Sequence, residues 1–498
     1  MKTAINPTRE VNFSEWYQQV IKSADLAENS VVRGCMVVKP NGFAIWERMK
    51  SILDLEFKKT GHKNCYFPLL IPLSFLEKEA EHVDGFAKEC AVVTHRRLIE
   101  GENGGLRPDG ELTEPYVIRP TSEMVIGESF SRWIKSYRDL PLKINQWANV
   151  MRWEMRPRIF LRTSEFLWQE GHTAHESKDE AIEETLLMLD VYRNFFEDSL
   201  AMPLVVGQKT DSEKFPGADT TYTVEAIMQD GKALQAGTSH FLGQNFSKAQ
   251  NIKFLSSDKV EKYAWTTSWG VSTRMVGGLI MGHSDDNGLI LPPKIAPIHV
   301  RIIPIYKNED TKTSVMNYVE QFKNSLELEI FNNSKVTVDV DDRDLRGGEK
   351  YWSSIKEGVP ITVEIGPRDV KENKVFVTNR FLGPGTKNSI DKDMFIKSLP
   401  KTLEEIQNSL KSRVQNRLED CIVEVDDRDS FNKIFKKKSF PMKLALAYVL
   451  DNKENREILS GKSLSFRCIP LSEKDNPKGI CIFSGKPVSK RVLIGQSY

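Results

Sequence analysis

Charged and apolar side chains alternate towards the end of residues 144–156, and this period of two predicts a strand. The charged residues share one face of that strand: Arg152, Glu154 and Arg156. The large apolar residues share the other face: Met151, Trp153 and Met155. A row of charges opposite apolar side chains is also typical of a solvated strand, so this segment alone does not indicate a binding site.

A second alternating segment follows at residues 166–172, after a short loop at 157–161. Its aromatic, acidic and imidazole side chains share one face: Phe166, Trp168, Glu170 and His172. If the two segments pair antiparallel, these groups and the arginines lie over the same side of a sheet. Arginines and carboxylates together complement a zwitterionic or phosphorylated ligand. Because a solvated face rarely includes Phe and Trp, the pair predicts a binding site for such a ligand.

These strings resemble motif 2 of the class II aminoacyl-tRNA synthetases, and residues 160–172 are similar to the prolyl-tRNA synthetases of the archaeal/eukaryotic-like type. Four other stretches resemble the same family in the same order. The helix from Asn41 and the strand into Pro72 look like motif 1, the dimerisation element, and residues 119–123 look like the loop that clamps proline. Residues 235–240 match an active-site strand, and residues 270–278 look like motif 3. The resemblance covers essentially the whole chain.

The resemblance implies that the chain activates L-proline with ATP to prolyl-adenylate, releasing pyrophosphate, and transfers the prolyl group to tRNA(Pro). It implies two catalytic arginines, with Arg152 bridging the α-phosphate and the proline carboxylate and Arg274 holding the γ-phosphate. The implied proline-binding residues are Thr121, Glu123, Arg152, Trp168, Glu170, His172 and His240. The implied ATP-binding residues are Arg152, Glu154, Arg162, Thr163, Gln235, Thr238 and Arg274. Mg²⁺ is expected with the ATP.

Carboxylate attack on a phosphoryl centre needs positioning and charge neutralisation rather than a covalent nucleophile. The sequence accordingly offers no catalytic Ser/His/Asp set. It also lacks a Gly-Lys-Ser phosphate loop, which argues against a P-loop ATPase.

The pattern predicts an α+β multidomain protein. An antiparallel-sheet catalytic domain is expected at 1–297, because the proline-rich stretch at 291–297 is a good boundary. Alternating strands and helices then predict an α/β domain at 298–400, which resembles the class IIa anticodon-binding domain. A small α/β C-terminal domain is expected at 401–498. In the second domain Glu349, Lys350, Glu364 and Arg368 are candidates for contacts with the tRNA anticodon, and surface charge is an equal alternative for each.

Two departures from family patterns lead to further predictions. Relatives with a C-terminal zinc site carry four cysteines, and the matching positions here are Leu450, Asn455, Cys481 and Ser484. One sulfur of four predicts no structural zinc, and no other metal site is expected. About sixty residues separate His172 from Gln235, so the editing insertion of typical bacterial prolyl enzymes is expected to be absent.

Composition limits the remaining possibilities. The net charge of +1 does not by itself suggest a nucleic-acid partner, and the one compact basic run, 436–438, is interpreted as a solvated loop. No apolar run reaches the length of a membrane span, and residues 1–7 lack the apolar segment of a signal peptide. Six scattered cysteines indicate reduced thiols. A cytoplasmic location without a membrane association is therefore expected, and the resemblance implies a homodimer.

Two alternatives stay open from the sequence. A sister synthetase for threonine, glycine or histidine would share the three motifs but not the string at 168–172. A non-catalytic tRNA-binding paralogue would keep the fold and lose the catalytic arginines, both of which are present here.

Overall fold

The structure is a computed structural model and describes residues 3–77, 89–436 and 439–498. Its first part contains helices packed around long antiparallel strands. The helices are α1 Phe13–Ser23, α2 Pro40–Lys59, α3 Leu73–Glu77, α4 Glu123–Trp133, α5 Lys178–Asn194, α6 Asn245–Ala249 and α7 Arg274–His283. The strands are β1 Ala27–Asn29, β2 Met36–Val38, β3 Lys63–Asn64, β4 Leu70–Pro72, β5 Ala91–Glu100, β6 Leu106–Ile118, β7 Leu142–Met151, β8 Glu165–His175, β9 Val205–Gln208, β10 Thr220–Ile227, β11 Ala233–Gly243, β12 Lys253–Leu255, β13 Glu261–Tyr263 and β14 Trp265–Ser272.

Strands and helices alternate in the second part, as the sequence pattern predicts. Its strands are β15 Val300–Pro304, β16 Ile330–Phe331, β17 Ser334–Lys335, β18 Val338–Val340, β19 Ile361–Ile365, β20 Lys374–Asn379 and β21 Lys387–Asp391. Its helices are α8 Glu309–Leu326, α9 Gly347–Glu357, α10 Pro367–Glu372 and the long α11 Lys392–Cys421. The last part comprises β22 Ile422–Val425, α12 Arg428–Lys436, β23 Leu444–Ala447, α13 Lys453–Ser460, β24 Ser465–Pro470 and β25 Val492–Gly495.

A large sheet joins the first and last parts of the chain. Among the described residues its order is β22-β23-β25-β24-β9-β10-β11-β14-β8-β7-β3. The six strands from β9 to β7 pair antiparallel, while β3 joins the edge in parallel with β7. The C-terminal strands extend this sheet, because β24 pairs with β9. The second part forms its own sheet, β18-β15-β19-β20-β21, in which β15 pairs in parallel with β18 and β19 and the remaining pairs are antiparallel.

Local signals explain where the helices that support the large sheet begin and end. Pro40 occupies the first turn of α2, where a missing N–H costs nothing, and Gly61 follows its end with φ of +88°. Ser177 and Glu180 form a capping box at the start of α5. Helix α7 is buried along its length after Arg274, because apolar residues and glycines surround its axis.

Each part of the chain has an apolar core. The largest core lies between the big sheet and helices α1, α2, α5 and α7, and includes Trp16, Met49, Tyr192, Trp269 and Met275. A second core fills the 298–410 region, and a third lies within the C-terminal segment. Together these features confirm the predicted α+β multidomain class with an antiparallel catalytic sheet.

Two local expectations are wrong. Residue types at 65–67 predict a strand, but these residues do not form one: Phe67 donates its backbone N–H to the side chain of Gln146 instead of to a strand partner. The strand predicted to reach residue 156 ends at Met151. Beyond its end, the backbone N–H of Trp153 donates to the carbonyl of Glu89 instead of to a neighbouring strand. Trp153 and Met155 are therefore exposed, at 46% and 81%, and do not form a buried face.

The basic run at 436–438 lies mostly outside the described residues, since only Lys436, the last residue of α12, is described. Across the described ranges, no helix is both long enough and apolar enough to span a membrane.

Candidate active site

The hairpin of β7 and β8 carries the predicted binding face. Its register places Trp168 opposite Ala148, Glu170 opposite Gln146 and His172 opposite Ile144. Gly171, between the last two, is required by packing, because a Cβ there would lie 2.0 Å from a ring carbon of Trp269. The tight contact brings the β8 backbone against the core and leaves the alternate side chains on the other face.

That face opens into a cavity of about 440 Å³. Every residue predicted for the catalytic and substrate sites lines this cavity. They are Thr121, Glu123, Arg152, Glu154, Arg162, Thr163, Trp168, Glu170, His172, Gln235, Thr238, His240 and Arg274. The elements that supply them are separated by up to about 150 residues of sequence, so only the fold brings these side chains together.

Arg152 lies just beyond the end of β7, over two aromatic rings. Its Nε donates to the carbonyl of Pro120 at 2.8 Å. Its guanidinium carbon lies 5.6 Å from the ring centre of Trp168 and 6.0 Å from that of Phe166. Burial lowers the pKa of Arg152, and nearby carboxylates, Glu123 first among them, oppose that shift. The residue therefore presents a fixed cation at the centre of the cavity.

A hydrogen-bonded carboxylate lies beside this cation. Glu170 Oε1 accepts hydrogen bonds from Ser122 Oγ and Gln146 Nε2, each at 2.5 Å, and its Oε2 lies 3.2 Å from His172 Nε2. Burial would raise the pKa of Glu170, but His172, Ser122 and Gln146 together lower it. Burial would likewise lower the pKa of His172, but Glu170 and the charge of Glu123 raise it. Each partner therefore favours the charged form of the other, the carboxylate of Glu170 and the imidazolium of His172.

Apart from Glu123, the remaining groups at this end of the cavity are small, aromatic or uncharged. The hydroxyl of Thr121 donates to Glu123, and Thr221 Oγ1 lies 3.0 Å from His240 Nδ1. Burial, with a smaller contribution from the charge of His172, lowers the pKa of His240 to about 3, so its imidazole is neutral. Trp168 Nε1 is buried and has no hydrogen-bond partner among the described residues. This end therefore suits a small, partly apolar molecule that carries a cationic group.

Arg274 lies at the N-terminus of α7, at the opposite end. Its Nε donates to the carbonyl of Leu161 at 3.1 Å and its Nη1 to the carbonyl of Gln235 at 3.4 Å. Burial lowers the pKa of Arg274 to about 10, and the charges of Arg162 and Arg152 add to that effect. Cations close enough to repel one another are stabilised by an anion bound between them. This end of the cavity therefore suits a polyanion.

The loop at 157–161 is held from two sides. Arg274 bonds its last carbonyl, and Tyr17 Oη of α1 donates to the carbonyl of Ile159 at 2.8 Å. Beyond this loop, Arg162 Nε lies 3.0 Å from Glu154 Oε2, and Thr163 Oγ1 donates to the carbonyl of Glu165 at 2.8 Å. Residues 154, 162 and 163 thus form a polar rim next to Arg274.

Sequence reasoning missed part of the cavity wall. Residues from the segment between β9 and β10 also line it: Lys209, Glu213, Lys214, Phe215 and Pro216. Charges beside proline and glycine at 209–217 read as an ordinary exposed turn, so the local pattern contains no signal of this role. The ring of Phe215 nevertheless lies 4.6 Å from that of His240.

The four candidates for anticodon contacts have different environments. Glu349 is exposed, and Arg368, also exposed, pairs with Glu372. Glu364 is half-buried and paired with Lys387. Lys350 is only 4% exposed and its ammonium group donates to the carbonyl of Asp341 at 3.0 Å. This burial and the bond to the backbone argue against a contact between Lys350 and a tRNA base, and they favour the alternative of a structural role.

The four positions that match a zinc site in relatives do meet in the C-terminal segment. Leu450 N and Asn455 Nδ2 each donate to Cys481 Sγ at 3.4 Å. Burial would raise the pKa of Cys481, but hydrogen bonds, first from Ser484, lower it. Hydrogen-bond donors surround the single sulfur where zinc would need further electron-pair donors, so these residues do not fit the metal.

The final residue packs against the catalytic sheet. Tyr498 Oη donates to Asp230 Oδ2 at 2.6 Å, and its backbone N–H donates to the carbonyl of Ala233 at 3.1 Å. The Tyr498 ring also contacts the largest core.

Comparisons with known proteins agree with this geometry. Residues 107–283 match the family model described as the tRNA synthetase class II core domain (G, H, P, S and T), and residues 299–406 match the anticodon binding domain. The proline–tRNA ligase of Bdellovibrio bacteriovorus is 56% identical, and the two chains are covered to 100% and 99%. Those of Rhodopirellula baltica and Paramagnetospirillum magneticum are 52% and 51% identical, with 100% of this chain and 98% and 99% of theirs covered. The chain belongs to the proline–tRNA ligase family, whose catalytic core is that of the class II aminoacyl-tRNA synthetases.

Proposed function

We propose that this chain activates L-proline with ATP to prolyl-adenylate and then transfers the prolyl group to the 3′ end of tRNA(Pro). The observation that carries the proposal is a single cavity with an anionic, aromatic end and a polycationic end, joined by Arg152. The relatives named proline–tRNA ligases, which match over the full chain, support it. The enzyme is therefore an aminoacyl-tRNA synthetase, a ligase of protein biosynthesis.

Adenylate formation requires no covalent intermediate with the protein. An oxygen of the proline carboxylate attacks the α-phosphorus of ATP, and the bond from that phosphorus to the bridging oxygen breaks. The electron pair leaves with pyrophosphate, and no proton needs to move because the carboxylate is already ionised. Arg152 neutralises the negative charge that builds up on the α-phosphate oxygens, and it is already fixed by Pro120 before the reaction begins.

The anionic end of the cavity suits proline. Glu170, and Glu123 beside it, would pair with the secondary ammonium group, while the Trp168 ring would pack against the pyrrolidine ring. Thr121, His172 and His240 would complete the walls. A neutral His240 adds no second cation that would repel the ammonium group.

The cationic end suits the triphosphate. Arg274 would hold the γ-phosphate, and Glu154, Arg162 and Thr163 would frame the adenine end. Gln235 and Thr238, on β11 between the two ends, would contact both substrates.

Mg²⁺ is proposed as the companion of ATP. Mg²⁺ usually takes one or two carboxylates plus phosphate oxygens. Glu213 lines the cavity, and its carboxylate forms no salt bridge with another described residue. Glu213 therefore fits as the protein's ligand. Bound there, the ion would neutralise phosphate charge.

The domain boundaries are proposed as 1–297 for catalysis, 298–400 for anticodon binding and 401–498 for the C-terminal domain. Helix α11 continues through residue 400, so the last boundary falls within a helix. Glu349, Glu364 and Arg368 stay as proposed anticodon contacts, because their side chains are exposed or half-buried. Measuring tRNA(Pro) binding by an Arg368→Ala variant would test one of them.

We also propose a homodimer. Along α2, Phe43 and Leu55 are exposed at 40% and 55%, and a groove of about 500 Å³ runs between α2 and the β7–β8 hairpin. Apolar exposure of this kind supports burial against a second copy. Sedimentation equilibrium would test the assignment, and a monomer at micromolar concentration would reject it.

We further propose that the enzyme is of the archaeal/eukaryotic-like type and has no editing module. A cytoplasmic location and the absence of structural zinc are also proposed. The residues between β8 and β11 form α5, β9 and β10, which belong to the catalytic sheet and the helix on its face. This supports the absence of an inserted domain. Purified Ala-tRNA(Pro) should therefore remain acylated when incubated with the enzyme, and robust deacylation would reject the proposal.

The principal test is amino-acid-dependent ATP–pyrophosphate exchange across all twenty amino acids. Proline should stimulate exchange far more than threonine, glycine or histidine. Stimulation by another amino acid would favour a sister synthetase, and no stimulation at all would favour a non-catalytic paralogue.

A further inference from the structure

A buried cluster of three charged side chains lies beside the active-site cavity. Glu225 Oε1 accepts from Lys209 Nζ at 2.7 Å and from Thr223 Oγ1 at 3.0 Å. Glu225 Oε2 accepts from Arg467 Nη2 at 2.8 Å and Nε at 3.2 Å. The side chains of Lys209, Glu225 and Arg467 are 2%, 0% and 7% exposed.

The sheet explains how these residues reach the site. Glu225 on β10 lies opposite Gln235 on β11, whose carbonyl accepts from Arg274. Lys209 follows the last residue of β9 and lines the cavity. Arg467 comes from β24 of the C-terminal segment, which pairs with β9. The cluster therefore connects the C-terminal segment to the cavity wall next to the end that holds Arg274.

The position of Lys209 and its N–H groups point to an anionic ligand. The three bonded side chains are two cations and one anion, and a further carboxylate whose charge acts on both cations, Glu213, lines the cavity without forming a salt bridge among the described residues. The Lys209 ammonium also has three N–H donors, and Glu225 accepts one of them. The charges of Glu225 and Arg467 also act on the guanidinium group of Arg274: Glu225 raises its pKa and Arg467 lowers it.

We propose that Lys209 binds the β- and γ-phosphates of ATP and holds the pyrophosphate as it leaves, and that Arg467 positions Lys209 through Glu225. The C-terminal segment thereby contributes to ATP binding without touching the nucleotide. This inference rests on the proposed function, since it assigns a residue to the same triphosphate.

The test compares two ligands in the full-length enzyme. ATP contains the β- and γ-phosphates, whereas a non-hydrolysable prolyl-sulfamoyl adenosine contains neither. Lys209→Met should raise the Kd and KM for ATP about tenfold or more, the usual effect of losing a charge-assisted hydrogen bond. The Kd of the sulfamoyl compound and the KM for proline should stay within about twofold.

The positioning role of Arg467 has its own variants. Arg467→Met should raise the KM for ATP in the same direction, and Arg467→Lys should restore part of the loss because it keeps the charge. Arg491→Met is the matched control, since Arg491 pairs with Asp426 in the same C-terminal segment away from the cavity. It should leave the KM for ATP unchanged.

Three results would overturn the inference: an unchanged KM for ATP in Lys209→Met, equal weakening of both ligands, or an Arg491→Met effect as large as that of Arg467→Met. If Lys209→Met does not fold, a crystal structure of the wild-type enzyme with a non-hydrolysable ATP analogue tests the contact between Lys209 and the phosphates instead. Lys209 Nζ should lie within hydrogen-bond distance of a phosphate oxygen, and a separation beyond about 5 Å would reject the contact. A wild-type enzyme without proline-dependent exchange would instead reject the proposed function.

Discussion

Replacing Arg152 by alanine should lower the rate of adenylate formation by about two orders of magnitude or more. The guanidinium group is fixed before any substrate arrives, by the 2.8 Å bond to Pro120 and by the rings of Trp168 and Phe166. Its charge therefore acts on the reacting phosphate without a reorganisation cost. Removing one such preorganised group typically costs about 3 kcal/mol of transition-state stabilisation, or roughly 150-fold in rate.

The surroundings of Arg152 make this figure a lower bound. The carboxylates of Glu123 and Glu170 act on its charge in the folded protein. Without the arginine, these carboxylates would face the triphosphate and the proline carboxylate with no cation between them. The loss should therefore appear in kcat and in the KM values for both substrates.

Proline-dependent ATP–pyrophosphate exchange measures the effect directly. Arg152→Lys should recover only part of the activity, because lysine keeps the charge but loses the planar fork and the bond from Nε. Arg156→Ala is the matched control, since Arg156 lies four residues along, is exposed and does not line the cavity. Exchange above a tenth of the wild-type rate in Arg152→Ala would refute the role assigned to it.

Three other outcomes are expected. The pKa of His172 is raised from 6.5, so its pairing stabilises the fold fully below pH 6.5 and this stabilisation is lost as pH rises through the folded-state pKa. The pKa of Glu170 is lowered from 4.5, so its pairing stabilises the fold above pH 4.5 and this stabilisation is lost as pH falls through the folded-state pKa. The difference in unfolding free energy between wild type and His172→Gln should thus be larger at pH 6 than at pH 9, and an equal difference would contradict the pairing. Gly171→Ala should destabilise the protein by about 1–3 kcal/mol in urea unfolding, because its methyl group would lie 2.0 Å from Trp269, whereas Gly348→Ala, with open space around it, should be close to neutral. Elemental analysis should find well under about 0.2 zinc atom per chain, and a chelator should leave Tm unchanged; stoichiometric zinc would show that the C-terminal segment has ligands we have not recognised.

Much of the site could be predicted because its residues lie on regular elements. The face of β8 that carries Trp168, Glu170 and His172 follows from a period of two, which is a property of the backbone. The position of Arg274 at the start of a helix was implied by the resemblance to motif 3, and the structure has that helix. Periodicity did not predict where β7 stops, because the backbone N–H of Trp153 bonds Glu89, which lies far away in sequence.

The burial of Lys350 in the second part of the chain could not be predicted from the local sequence. Lys350 has the same charge and the same apparent exposure in the sequence as many surface lysines. Its ammonium group lies inside the domain because the fold brings the carbonyl of Asp341 to it. No pattern around residue 350 contains that information.

Residue type and short-range period were enough to predict the class of the fold, the antiparallel hairpin at the site and the side chains of β8 that line the cavity. The three-dimensional fold was needed to show that the C-terminal strands extend the catalytic sheet and that Arg467 contacts Glu225 across 242 positions. Such contacts form because β24 and β9 complete each other's backbone hydrogen bonds, and any two strands can do this in principle. Which two strands pair is fixed by the packing of the whole chain rather than by either strand.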